Sequence, residues 1–167
     1  MLRAHSIWVA LFSSSLGVSA LAQTPPPAPE RVQWTAAFAS TGDVRSGSTV
    51  ELEISGAIQD GWHVYALTEP SGGPTALRVT LDENDVAQAA GAASGTAPRK
   101  HRDPSFGLET QFYSHSFTVR IPVVLKSTAG KQLVPVSVRF QTCSDRECQP
   151  PTTAHLSVPV DVLPSAS

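Results

Sequence analysis

The chain has 167 residues, with 12 Lys and Arg against 14 Asp and Glu and a formal net charge of −2. That length suits one domain with a real core. The mild acidity argues against a nucleic-acid partner, because phosphate recognition needs a basic surface, and no basic run suggests a membrane-surface patch.

The first two dozen residues carry the marks of export. Arg3 gives a short basic start, Ile7 to Leu21 is apolar or small without charge, and Ala20-Leu21-Ala22 fits small-x-small cleavage. Residues 1–22 are expected to be a cleaved signal peptide, with Gln23 the first mature residue. An uncleaved anchor is the alternative, although the apolar run falls short of the roughly 20 residues a bilayer needs. Cleavage removes Arg3 and no acid, so 145 residues remain, with 11 cations against 14 acids. Residues 23–30 follow as a linker: Thr24-Pro25-Pro26-Pro27-Ala28-Pro29 can form neither a helix nor a central strand.

From residue 31 to 162 the dominant period is two. Val32, Trp34, Ala36 and Phe38 alternate, as do Val50, Leu52 and Ile54, then Leu77, Val79 and Leu81. Phe117 to Leu125, Val134 to Phe140 and Leu156 to Val162 continue the alternation. Turn chemistry separates the runs at Gly42-Asp43, Asp60-Gly61, Ser71-Gly72-Gly73-Pro74 and Ala129-Gly130-Lys131. Some six or seven short strands and no amphipathic helix predict an all-β domain, an immunoglobulin-like antiparallel β-sandwich, over residues 31–162, with 163–167 a tail. Ala87 to Pro98 reads as a loose Ala/Gly connection. The charged stretch Arg99 to Gly107 after it reads as irregular, ending on the lone aromatic Phe106.

The chemistry concentrates in Phe140-Gln141-Thr142-Cys143-Ser144-Asp145-Arg146-Glu147-Cys148-Gln149-Pro150-Pro151, which holds the only two cysteines. In an exported chain they can bond to one another. An unbroken strand from Val134 puts Cys143 on the outward phase with Arg139 and Gln141, more accessible than a core staple needs; a bulge at Thr142 reverses this. A loop this short contributes only about 2 kcal/mol through chain entropy. On these grounds a structural hairpin disulfide and a redox-active one stand level, with a metal site behind both. His63, His101, His115 and His155 are scattered without ligand spacing and read as surface or loop residues. Ser71 lacks a nucleophile elbow, and Asp103 and Glu109 read as a solvated loop pair.

Four segments together resemble the amino-terminal periplasmic domain family of the thiol:disulfide interchange protein DsbD. They are Asp60-Gly61-Trp62-His63-Val64-Tyr65, Gly72-Gly73-Pro74-Thr75, Asp103-Pro104-Ser105-Phe106-Gly107 and, most specifically, Val138 to Pro151. The resemblance covers about residues 30–162 and implies a periplasmic protein-disulfide oxidoreductase that works by thiol–disulfide exchange without a cofactor. In that reading Cys143 and Cys148 are the catalytic pair: Cys148 makes the mixed disulfide with partners and Cys143 resolves it. Phe106 matches a cap aromatic over the sulfurs, and Tyr65 matches a tyrosine near the pair. The implied electron donor is a separate membrane-embedded thiol reductase or thioredoxin-like protein. The implied clients are periplasmic disulfide isomerases or cytochrome c maturation proteins, and the domain is expected to be a monomer. The spacer of four residues between the cysteines is one shorter than in the best-known member. The runner-up is an immunoglobulin-like binding or assembly module whose hairpin disulfide is structural.

Overall fold

The structure, a computed structural model, describes residues 30–39, 44–126 and 129–164. The expected signal peptide, most of the linker, the Gly42-Asp43 turn and the last residues of the tail lie outside the described residues. Within them the chain forms twelve strands and no helix. In chain order these are β1 Val32–Ala39, β2 Thr49–Ile58, β3 Trp62–Tyr65, β4 Arg78–Leu81, β5 Ala87–Ala89 and β6 Ser94–Gly95. Then follow β7 Arg99–Asp103, β8 Leu108–Ser114, β9 Ser116–Leu125, β10 Gly130–Phe140, β11 Thr142–Ser144 and β12 Thr152–Val162.

The strands pair antiparallel in three sheets. One runs β1-β2-β9-β5, with β6 also on β9; a second, of three long and short strands, runs β12-β10-β4; a third, a small sheet of four short strands, runs β11-β3-β8-β7. The first two are the layers of an immunoglobulin-like sandwich, and period-two alternation builds their interface. In β2, Leu52, Ile54 and Ile58 are buried; in β9, Phe117, Val119, Ile121, Val123 and Leu125; in β10, Val134, Val136, Val138 and Phe140. These β-branched and aromatic side chains suit a pleated surface buried on one face. They join with Val158, Val160 and Val162 of β12 in one hydrophobic cluster.

Two stretches are more ordered than their composition suggests. The Ala/Gly segment carries β5 and β6, both on β9; Gly95 is needed there because a Cβ would stand 2.2 Å from the Thr118 carbonyl oxygen. The charged stretch forms β7, which zips onto β8 from Arg99↔Phe112 to Asp103↔Leu108. Backbone pairing, not apolar content, decides both segments.

An aromatic seam fastens the small sheet to the sandwich. Tyr113 of β8 stacks on Phe117 at 4.4 Å, and Trp34 meets Phe117 and Phe140 edge-on at 5.7 and 4.9 Å. Buried Gly56 leaves the space for that seam, since a Cβ there would sit 2.7 Å from Phe117 Cε1 and 3.2 Å from Trp34 Cζ3. With Tyr113 stacked on its face and Trp34 against its edge, the Phe117 ring has little room to retreat. Gly56→Ala is therefore expected to cost about 1–3 kcal/mol, the usual penalty of overpacking. Urea denaturation would show a lower midpoint at unchanged slope; an unchanged midpoint would mean that the ring moves aside freely.

Candidate functional site

The site begins where β10 leaves its sheet. β10 ends at Phe140, and the next residue, Gln141, turns its side chain inward, where Oε1 accepts a hydrogen bond from the Thr75 backbone at 2.8 Å. Its carbonyl accepts from Tyr65 N–H at 3.4 Å, and Thr142 then opens β11, the edge strand of the small sheet. Gln141, Thr142 and Cys143 are consequently buried in succession. This corrects the outward placement expected for Cys143, which is only 1% exposed. Alternation breaks at Gln141 because the chain changes sheets, and the phase shifts with it.

Cys143 and Cys148 are joined by a disulfide, with Cα atoms 4.0 Å apart. Cys148 is half-buried and the turn between them, Asp145 to Glu147, is exposed. The turn is zipped independently of the sulfurs. Ser144 N–H donates to Glu147 O and Gln149 N–H to Thr142 O, both at 2.8 Å, and Ser144 Oγ accepts from the amides of Arg146 and Glu147 at 3.2 Å. Pro150 and Pro151, both exposed, follow without backbone donors. A groove of about 300 Å³ runs beside them, lined in part by Trp34, Phe140, Thr142, Gln149 and Pro150.

The strand registers place the remaining groups. Cys143 lies directly opposite His63, Tyr65 opposite Phe112, and Phe112 opposite Arg99. Side chains of an antiparallel pair share a face at opposed positions and at every second residue. Cys143, His63, Tyr65, Phe112, His101 and Asp103 therefore rise from one face, while Val64, Tyr113 and Thr142 point to the core. On the outer face the rings nest edge-to-face: His63 with Tyr65 and with Phe112 at 5.2 Å, and with His101 at 5.9 Å. Behind them Glu69 fastens the chain after β3 to β8, accepting from Ala66 and Gln111 amides at 3.2 and 3.1 Å; burial pushes its carboxyl up despite these bonds.

The β7–β8 turn folds over this face. Asp103, expected to be solvated, is 2% exposed and takes a 2.7 Å hydrogen bond from the Tyr65 hydroxyl and one at 2.8 Å from Ser105 N–H. Burial alone would raise its carboxyl, but the bonds from Tyr65, Ser105 and the Phe106 amide outweigh that and hold it below its ordinary value. Burial and the same bond push the Tyr65 hydroxyl far above the usual phenol range. Ser105 Oγ reaches Cys148 Sγ at 4.0 Å, and the half-buried Phe106 ring stands perpendicular to Tyr65 at 5.9 Å. His101 Nε2 lies 3.8 Å from Asp103. Gly107, at φ +67, closes the turn.

The structure thus brings Cys143, Cys148, Tyr65 and the Phe106 loop together. It adds His63, His101, Asp103, Ser105 and Phe112, which the sequence pattern did not single out for the site. Nothing in the sequence marked β7: Arg99 to Asp103 are charged or polar throughout and show no apolar alternation. His115 and His155 lie elsewhere: His115 near Asp60, and His155 bonded to Ser137. Among the described residues no group of three or more His, Cys, Asp or Glu side chains is placed to hold a metal ion.

Residues 28–159 match the family model of the thiol:disulfide interchange protein DsbD, N-terminal. The chain belongs to that family. Its fold is similar to the Neisseria meningitidis DsbD n-terminal domain in the reduced form, at 18% identity and a TM-score of 0.50, over 70% of this chain and 82% of that one. It is also similar to the N-terminal periplasmic domain of ScsB from Proteus mirabilis, at 17% identity and a TM-score of 0.52, over 83% of this chain and 49% of that one. No curated protein sequence matches the chain.

The Tyr65–Asp103 bond pins the loop that touches Cys148. A hydrogen bond to a charged group contributes about 1.5–3 kcal/mol, so Tyr65→Phe is expected to speed reduction of the disulfide by dithiothreitol about tenfold or more. An unchanged rate would show that something else holds the loop. The loop should also loosen in acid. A carboxyl depressed below its ordinary 3.8 stabilises the closed loop above that pH, and the contribution is lost as pH falls through the lower folded value. Faster amide exchange at Ser105 and Phe106 in that window, absent in Tyr65→Phe, would show it.

Proposed function

We propose that the chain is a periplasmic thiol–disulfide interchange domain that carries reducing equivalents through Cys143 and Cys148. It would receive them from a membrane-embedded thiol reductase or a thioredoxin-like protein. It would pass them to periplasmic proteins such as a disulfide isomerase or components of cytochrome c maturation. The observation that carries this reading is the asymmetry of the pair: a buried sulfur on a sheet face, joined to a half-buried one under a loop. Exchange proceeds by a thiolate attacking a disulfide sulfur in line. Cys148 is the sulfur a partner can reach, beside two prolines that leave the adjoining backbone without donors, so Cys148 attacks and Cys143 resolves. The independently zipped turn supports a pair that opens and closes without refolding its surroundings.

The cap role falls to the Asp103–Gly107 loop as a unit, with Ser105 at the sulfur and Phe106 bracing it against Tyr65. Membership in the DsbD N-terminal family supports the reaction class, and the expected signal peptide supports the periplasmic address.

The reduction potential tests the reading most directly. A working pair should lie above about −300 mV, and a structural bond below it. Trapping assigns the roles: Cys143→Ala should accumulate mixed disulfides with a client while Cys148→Ala should not, and the reverse pattern would exchange the two roles. Phe106→Ala should raise the rate of reduction by a small thiol while leaving the thermal midpoint nearly unchanged. A loss of about 2 kcal/mol or more with no change in rate would instead make Phe106 a core residue.

A further inference from the structure

Resolution poses a problem of protons that the fold makes acute. On reduction Cys143 holds a thiol, and the thiolate, not the thiol, is the nucleophile. Its position is 1% exposed, so bulk water does not serve it as a base. His63 is the titratable side chain directly opposite it across the β3–β11 pair, on the same sheet face. Opposed residues carry their Cβ atoms about 4.5–5.5 Å apart. The His63 Nε2 is shielded from solvent and has no hydrogen-bond partner among the described residues.

The neighbouring groups are poorer acceptors or lie further off. Tyr65, on the same strand, holds its proton far into the alkaline range. From β7, the Asp103 carboxylate is engaged by three donors and held at a low proton affinity, and His101, although its ring meets His63, stands two strands further from β11 and next to Asp103. From β8 only Ser114 and Phe112 face His63, and neither titrates. From the cysteine turn, Asp145 acts on His63 through charge alone, favouring its protonated form, as Asp103 also does.

We propose that His63 is the proton acceptor for the Cys143 thiol in the resolving step. This deepens the exchange reading and rests on it. In the mixed disulfide, the Cys143 S–H proton passes to the imidazole Nε2, and the electron pair left on sulfur attacks Cys148 Sγ. The Cys143–Cys148 bond forms, the bond from Cys148 to the partner sulfur breaks, and the partner leaves as a thiolate. Cys143 and Cys148 are oxidised, and the partner disulfide is reduced by the same two electrons. Burial first, and then the neighbouring His101, lower the proton affinity of His63 and favour the neutral ring that accepts, while Asp103 and Asp145 favour the imidazolium once formed. The sign follows. The base is present above its lowered titration point and disappears as pH falls from 6.5 through it, so resolution should slow in acid.

Ellman's reagent separates the steps. Reaction of the reduced protein releases one thionitrobenzoate when Cys148 attacks and a second when Cys143 resolves. His63→Gln should slow the second release about a hundredfold at pH 7, the lower end of what a positioned acid–base group contributes, while leaving the first within about twofold. It should also remove the fall of the second phase below pH 6.5. His63→Phe keeps the ring packing without the proton site and should behave alike, which guards against a poorly folded Gln variant. Second-phase rates equal to wild type in either folded variant would overturn the proposal. So would equal changes in both phases at every pH, which would mark a merely structural role. A wild-type protein that releases no thionitrobenzoate would overturn the exchange reading itself, and this proposal with it.

Discussion

The passage of the chain from β10 into β11 at Gln141 is the constraint on which the site depends. A strand that continued in its own sheet would carry Cys143 outward on the face of Arg139. Instead the Gln141 amide is drawn inward by the Thr75 backbone, its carbonyl takes the Tyr65 amide, and the next residue enters another sheet. An unsatisfied buried amide costs several times what a satisfied one contributes, so both bonds must form for the crossing to be stable. Once they form, the register of β11 on β3 is fixed. That register sets Cys143 against His63 and brings Cys148 back through a backbone bridge.

A second dependence follows from the first. β3 is shared by both sides of the site: β11 with the sulfurs on one edge, β8 and the β7 hairpin on the other. Tyr65, on β3, reaches across to Asp103 and so ties the loop to the same strand that registers the cysteine. The loop is therefore held by a few polar bonds and edge-to-face rings, not by deep apolar burial. Such a segment belongs to the low-stability end of a protein, where opening requires no disturbance of the core. The sandwich behind it is the opposite case, with Leu52, Val119, Val123 and Val138 fully enclosed.

Most of the sandwich was legible because its strands are half-buried, and half-burial writes itself into sequence as alternation. Val134 to Phe140 and Phe117 to Leu125 occupy the phases their pattern predicts. The small sheet was not legible in this way. Its outer face is lined by His63, Tyr65, His101 and Asp103, polar residues that an alternation of apolar positions passes over. Asp103 read as a solvated acid because sequence shows its charge but not the Tyr65 hydroxyl, thirty-eight positions away, that accommodates it in the interior. The phase of Cys143 was misread for a related reason. Period-two reasoning carries a strand forward, and nothing in Gln141 itself announces that its side chain is bound to a backbone amide of a distant loop. The cysteine segment was read through its resemblance to a family, which stores such tertiary facts in motif form.

The polar lining also bears on how the pair can work. An apolar cover would protect the disulfide equally well, but would leave a newly formed buried thiol with no group to take or return its proton. Rings of histidine, tyrosine and phenylalanine fill the face at close-packed separations while keeping ionisable edges within it. Burial disfavours every charge on that face, and the charges that persist are those with partners: Asp103 through its three donors, and His63, when protonated, through Asp103 and Asp145. On the proposed exchange reading, shielding and proton handling fall to the same side chains. On that reading a single apolar substitution on this face can spare the packing and still remove the proton acceptor, so a fold that looks unperturbed is no measure of whether the site is intact.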